Sequence, residues 1–135
     1  MDTLGQVGIR VQSGIPVIEL QGAWLRASAD RICETIRALG SAGHLEIVLN
    51  VQRAVVQSSA GLDALWSAAR WIRSKHGQLE IVATVEQADR LFRAVDVGLA
   101  RISTSEERAI SRIKGTPIRV HGPSFTARMG AERQV

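Results

Sequence analysis

The feature that most constrains the fold is the stretch "HLEIVLNVQRAVV", residues 44–56. Leu45, Ile47, Val48, Leu49 and Val51 form a nearly continuous apolar run. A strand exposed on one face would alternate; a run without alternation reads as a strand covered on both faces, hence a central one. "LEIVAT", residues 79–84, has the same character. Between and around these runs lie segments of helical period.

The rest of the chain fits around that centre. "QVGIRVQ" alternates, with Val7, Ile9 and Val11 on one face, and predicts a half-buried strand. "SGIP" is a turn and "VIELQG" a second short strand, so the two form a hairpin. "RASADRICETIRALGSAG" predicts a helix with Ser28 as its N-cap. Ala29, Ile32, Cys33, Ile36 and Leu39 make its apolar face, and Gly40 and Gly43 stop it. A second helix starts near Ala60. Leu62, Leu65, Trp66, Ala69 and Ile72 face its core side; Asp63, Ser67, Arg70 and Arg73 face outward. A third spans "VEQADRLFRAVDVG", with Ala88, Leu91, Phe92 and Val95 inward and Gly98 closing it. "LARIS" is a short strand. Ser103 with Glu106, or Thr104 with Glu107, offers a capping box for a last helix ending near Lys114. The order β-β-α-β-α-β-α-β-α indicates an α/β fold with a mostly parallel sheet. Residues 1–114 form one domain. Residues 115–135 have little periodicity and read as an extension, partly ordered at best, of which a part could add a further strand.

Composition excludes several functions. The 135 residues carry a net charge of +4, but the basic residues are scattered and often alternate with acids. With no tyrosine and two phenylalanines, no stacking platform for bases is available, so nucleic acid is not expected as a partner. The single cysteine, Cys33, rules out an internal disulfide and reads as a small buried side chain. No stretch approaches the roughly 18 apolar residues of a membrane span, and the N-terminus lacks a signal-peptide pattern; a cytoplasmic protein without a membrane partner is expected. His44, His76 and His121 stand alone, without metal-ligand spacing. "GSAG" and "SSAG" lack the lysine of a P-loop. No cofactor or metal is expected, and the chain is expected to be a monomer or weak dimer. Trp66 reads as core and Trp71 as partly exposed. Trp24, before the first helix, reads equally as a lid on the core or as a contact residue.

The most informative chemistry lies at "VVQSSAGLDAL", where an apolar strand meets a helix. Ser58 and Ser59 could serve there in three ways. A nucleophile elbow wants Gly-x-Ser-x-Gly, and Gln57 stands in place of the first glycine; Asp96 and His121 would have to complete a triad. A serine can cap the helix by accepting an amide hydrogen bond. A phosphoserine would also suit the spot, because free N–H groups and the macrodipole favour negative charge at a helix N-terminus.

The same stretch carries a resemblance. "EIVLNVQRAVVQSSAGLDAL" is similar to the pattern V-x-L-D-L-S-x-V-x-x-I-D-S-A-G-L-G-A-L of the STAS domain, in its stand-alone anti-sigma-factor-antagonist form. "VIELQGAWLRASADRI" resembles that family's second strand, G-E-L-D loop and entry to the first helix; "VATVEQADRLFRAVDVG" and "STSEERAI" resemble later elements. The resemblance runs from Val7 to Lys114. It implies a mixed, mostly parallel sheet with about four helices packed mainly on one face. It implies no enzyme, but a regulatory module that binds an anti-sigma factor of the histidine-kinase-like ATPase class in a partner-switching pathway. It implies Ser59 as phospho-acceptor, and a docking surface of Ser58, Ser59, Ala60, Gly61 and Leu62 with Trp24 and Leu25 from the neighbouring loop. Four acids of the pattern are replaced: by Ala23, Leu25, Asn50 and Ser58. Their loss makes the face more apolar and favours an alternative, a STAS subunit held permanently in a larger complex with no phosphorylation switch.

Overall fold

The computed structural model describes residues 6–56, 59–91 and 99–115. Strands β1 (Gln6–Gln12) and β2 (Ile15–Trp24) form the predicted antiparallel hairpin, with Ile9 opposite Ile18. Its two-residue turn, Ser13 and Gly14, has φ of 54° and 81°. That is the turn hand that matches strand twist, and it suits a glycine at the second position.

Helix α1 (Arg26–Ser41) leads to β3 (Glu46–Val56), α2 (Ser59–Ser74) to β4 (Gln78–Val82), and α3 (Val85–Leu91) precedes β5 (Arg101–Ser103). Helix α4 (Glu106–Lys114) follows. Strands β2 to β5 pair in parallel, and the sheet order is β1-β2-β3-β4-β5. The double-sided burial predicted for β3 follows from this central place.

Strand alternation divides the core in two. Ile18, Leu20, Ile47, Leu49, Leu79 and Ile81 meet Ile32 and Ile36 of α1 and Leu65, Ala69 and Ile72 of α2. On the other face Ile15, Val17, Val48 and Val82 meet Ala109 and Ile110 of α4. The two long helices thus share a face, and one short helix covers the other. A fully buried aliphatic side chain contributes about 1.5–3 kcal/mol, so the first cluster supplies most of the burial energy. With Ile110 as its one large buried residue, α4 needs polar anchors as well.

Several local expectations are corrected. Strand β1 is not half-buried: Val7 packs on the core, but Ile9 is 55% and Val11 69% exposed. Alternation marks an apolar face without saying whether anything covers it. β1 is the sheet edge, and α1 lies over β2 and against α2 instead. Ser28 is not the N-cap of α1. Leu25 holds that position, and Ser28, in the first turn, accepts the Leu25 N–H (3.3 Å) and donates to the Ala23 carbonyl (3.0 Å). Gly40 does not stop the helix. It lies inside α1, where a Cβ would sit 2.6 Å from Trp71 Cζ3, so its bareness lets α1 approach α2. The helix ends at Gly43 (φ 99°) in a Schellman arrangement: the His44 N–H reaches the Leu39 carbonyl and the Gly43 N–H the Gly40 carbonyl. Neither Ser103 nor Thr104 caps α4. Ser105 does, accepting the Arg108 N–H at 3.3 Å.

Ser67, Asp63, Arg70 and Arg73 face solvent as expected. Cys33 is half-buried, its thiol donating to the Ala64 carbonyl (3.0 Å) and pushed up in pKa chiefly by burial. Phe92, Val95, Gly98 and residues 116–135 lie outside the described residues.

Candidate functional site at the carboxyl ends of the strands

The parallel register brings the candidate site together. Trp24, the last residue of β2, lies beside Val56, the last of β3. Both strands therefore end level, and the helices that follow start side by side: α1 from Leu25 and Arg26, α2 from Ser59 and Ala60. Ser58 lies outside the described residues. Neither helix has an acidic residue in its first turn, so the positive ends of both macrodipoles stand unneutralised from within. Exposed Arg26 lies at the same rim, ion-paired with Asp30 at 3.4 Å.

Trp24 sits under this surface and not on it. Its side chain is fully buried in the main core. Gly61 of α2 rests on the indole: a Cβ there would lie 2.8 Å from Nε1 and 2.9 Å from Cδ1. Of the two roles weighed for Trp24, the structure selects the lid on the core. Its indole N–H has no hydrogen-bond partner among the described residues. Gly61 is buried, while Leu25 and Leu62 are half-buried, Leu62 against the main core.

Two residues that sequence reasoning missed flank this end of the sheet. Val55, beside Ala23 in the register, is 58% exposed, and Val85, the first residue of α3, is 74% exposed. The Gln87 side chain donates to the Val51 (2.8 Å) and Ala54 (3.1 Å) carbonyls, which ties the first turn of α3 to the end of β3. Thr84 and Gln87 cap that turn reciprocally. Val55 was legible as an apolar residue past the buried stretch of β3; Val85 carried no signal beyond its place before a helix.

Asn50 does not belong to this site. It is buried on the α4 face, where its Nδ2 donates to Glu106 Oε1 (3.0 Å) and its Oδ1 accepts the Gln52 N–H (3.0 Å). Arg10 of β1 grips the same Glu106 carboxylate with two hydrogen bonds of 2.7 and 2.6 Å and lies 3.6 Å from Glu19. The Arg10 hydrogen bond, with help from Asn50, holds the Glu106 carboxyl below its ordinary pKa against the opposing effect of burial. An aspartate at position 50 would instead set a second carboxylate against Glu106. On the same face Glu80, fully buried in β4, pairs with Arg112 of α4 at 3.2 Å and accepts from Gln78. Burial pushes its carboxyl up in pKa; Arg112, Gln78 and Arg101 oppose that.

The other chemistries gain no geometry. Asp96 and His121, which a serine nucleophile would require, lie outside the described residues. Among the described residues no three His, Cys, Asp or Glu side chains gather as a metal site, and no helix is long and apolar enough to cross a membrane. His44 and His76 are exposed.

Residues 6–109 match the STAS domain. This chain belongs to the STAS domain family. Solved structures share its fold. An anti-sigma factor antagonist from Mycobacterium paratuberculosis superposes with a TM-score of 0.70 at 14% identity, over 84% of this chain and 97% of that one. The anti-sigma factor antagonist SpoIIAA in its unphosphorylated form gives 0.63 at 20% identity, over 82% and 98%. The Bacillus cell fate determinant SpoIIAA in its phosphorylated form gives 0.61 at 21%, over 81% and 98%. At these identities the likeness is one of fold. No curated protein matches the chain in sequence.

Proposed function

We propose that this STAS domain is a non-enzymatic interaction module of the antagonist kind, which docks a protein partner at the N-terminus of α2 and the adjoining entry to α1. The observation that carries this is the level ending of β2 and β3. It sets two helix N-termini without acidic first-turn residues side by side, and Val55 of β3 and Val85 of α3 are exposed at the same end of the sheet. An apolar patch with a positive rim fits a partner that brings apolar side chains and carboxylates. The resemblance to anti-sigma factor antagonists supports a partner class: an anti-sigma factor of the histidine-kinase-like ATPase kind, in a cytoplasmic partner-switching pathway. Ser59 is the proposed switch. A phosphate there adds about −1.5 to −2 charges. The free domain tolerates it, because the first amides of α2 and the helix dipole favour an anion. A docked partner would have to bury the same charge beside Val55 and Val85, and the complex would come apart.

Ala23 and Leu25, where the family pattern has acids, favour a second reading: a fixed subunit of a larger assembly, with Ser59 serving only the helix. The two separate in one experiment. Wild type, Ser59→Ala and Ser59→Asp are used as paired baits in lysate, with mass spectrometry as the readout. An ATPase of the expected class, held by wild type and Ser59→Ala and lost from Ser59→Asp, supports the switch. The same stable set on all three baits removes it and leaves the fixed subunit.

A further inference from the structure

Strand β1 hydrogen-bonds to β2 on one side only and forms one edge of the sheet; the other edge, β5, has only three residues. An edge that carries exposed apolar residues is a template for another strand, and folded proteins usually shorten, cover or charge it. β1 runs for seven residues without proline or bulge, and Ile9 and Val11 are 55% and 69% exposed. The one charge on the strand, Arg10, alternates to the opposite face and is engaged by Glu106 and Glu19. Among the described elements none covers this edge.

The strand is close to a palindrome. Gln6-Val7-Gly8-Ile9-Arg10-Val11-Gln12 reads almost alike in both directions from Ile9. Backbone geometry picks out the same centre. The two-residue turn at Ser13 and Gly14 makes Gln12 and Ile15 exchange backbone hydrogen bonds, and every second residue back along β1 bonds to β2 in the same way. Val7, Ile9 and Val11 are left with N–H and carbonyl groups turned outward. They are also the apolar residues of the strand, so the backbone groups that need a partner and the side chains that need cover belong to the same positions.

We propose that β1 pairs antiparallel with β1 of a second copy about a twofold axis at Ile9, giving a weak homodimer with one continuous sheet. In this register Ile9 meets Ile9, Val7 meets Val11 and Gln6 meets Gln12, and every outward-turned residue of both strands is hydrogen-bonded. Val7 already packs on the main core, so Val11 of the second copy extends that core sideways. Charge supports the same register. Arg10 of the second copy falls opposite Gly8, where an added Cβ would meet nothing within 4 Å and a cleft of about 220 Å³ lies open beside Glu19 and Gln21. Glu19 is the β2 neighbour of Gly8, and it holds its own Arg10 only at 3.6 Å. The incoming guanidinium thus comes into line with Glu19 with no side chain between them. Moving the axis to Arg10 sets the two arginines directly opposite, which destabilises a strand pair; moving it to Gly8 leaves Val11 without an apolar partner. A slip by one residue pairs outward-turned groups with inward-turned ones. Two strands of this length bury a small area, under about 1,200 Å² in total, which is the class of weak, exchanging complexes. Because the pairing is antiparallel, the two α2 N-termini lie at opposite ends of the joined sheet, and both docking surfaces stay open.

A concentration series on the full chain tests this. In residue-resolved hydrogen exchange the Val7, Ile9 and Val11 amides should exchange at least about threefold more slowly at about 1 mM protein than at about 10 µM, while those of Gly8 and Arg10, turned to β2, should not change. Sedimentation velocity should show the average mass rising over the same range. Ile9→Lys sets like charges across the axis. Ile9 is exposed, so the variant should match wild type in circular dichroism, stay monomeric and lose the concentration dependence. A disulfide trap checks the register. In a Cys33→Ser background, Ile9→Cys alone should cross-link two chains, since directly opposed strand residues fall within disulfide reach; Val7→Cys should cross-link to Val11→Cys and not to itself. A chain that stays monomeric at the highest concentration with these amides unprotected would overturn the proposal. So would a dimer that survives Ile9→Lys, or protection equal at every concentration, which would assign the edge to residues of the same chain.

Discussion

Replacing Gly61 by alanine tests whether α2 really rests on the buried tryptophan. Two effects oppose each other. Alanine is favoured over glycine within a helix by about 0.8–1.0 kcal/mol. Against this, the new methyl would lie 2.8 Å from Trp24 Nε1 and 2.9 Å from Cδ1. Trp24 is fully buried, so its ring cannot swing into solvent, and overpacking of this kind costs about 1–3 kcal/mol. The steric effect wins, and Gly61→Ala should destabilise the domain by about 1 kcal/mol. Gly40 is a second case of the same kind. Its added methyl would lie 2.6 Å from Trp71 Cζ3 and 2.9 Å from Cδ1 of the fully buried Ile72. Gly40→Ala should therefore destabilise the domain as well. Urea titration followed by far-ultraviolet circular dichroism measures both; for a slope of about 1–2 kcal/mol per molar, the Gly61→Ala midpoint should fall by about 0.5–1 M. In a Trp24→Phe background the penalty should shrink, because the indole nitrogen that meets the methyl is gone. A Gly61→Ala midpoint at or above wild type would refute the packing account.

The α4 face gives two more tests. Asn50→Asp should destabilise by about 1–3 kcal/mol in the same titration, by replacing a donor to Glu106 with a second carboxylate, and Glu106→Gln should restore most of the loss. Because the fold raises the Glu80 pKa, the folded domain holds that proton more tightly than the unfolded chain, and this group's contribution makes stability fall as pH rises from the ordinary carboxylate range toward the raised value. Arg112→Met removes the opposing cation, so its midpoint should lie further below wild type at pH 7 than at pH 5. About 2 kcal/mol is expected at neutral pH, below a fully buried pair because Arg112 keeps 35% of its side chain in solvent.

How much was legible in the sequence depended on the physics of each signal. Periodicity reports which side of an element is apolar, so β3, β4 and the core faces of α1 and α2 were readable. It does not report coverage, so the exposed Ile9 and Val11 of β1 were read as half-buried. Helix ends were displaced by a few residues where alternatives crowded: Ser103, Thr104 and Ser105 all offer hydroxyls before α4, and Gly40 and Gly43 both look like stops. Trp24 was ambiguous because the register that buries it pairs β2 with β3, a contact no local pattern encodes. Asn50 was grouped with the serines through the motif they share, although strand alternation already put it on the side of Val48, away from α1 and α2. Glu80 gave no warning, since its partner Arg112 lies on a helix three elements further on.

Helix α4 has a consequence for how the domain is completed. Among the described elements it alone covers Val17, Val48 and Val82, and it is fastened at both ends to the first hairpin: Glu106 to Arg10, Lys114 to Ser13. During synthesis β2, β3 and β4 can close with α1 and α2 as each emerges, but one whole side of the sheet stays wet, with Glu80 lacking its cation, until the last described helix leaves the ribosome. A nascent chain paused before Glu106 would present that bare surface to chaperones, and the final few residues of α4 both seal it and lock the oldest part of the chain in place.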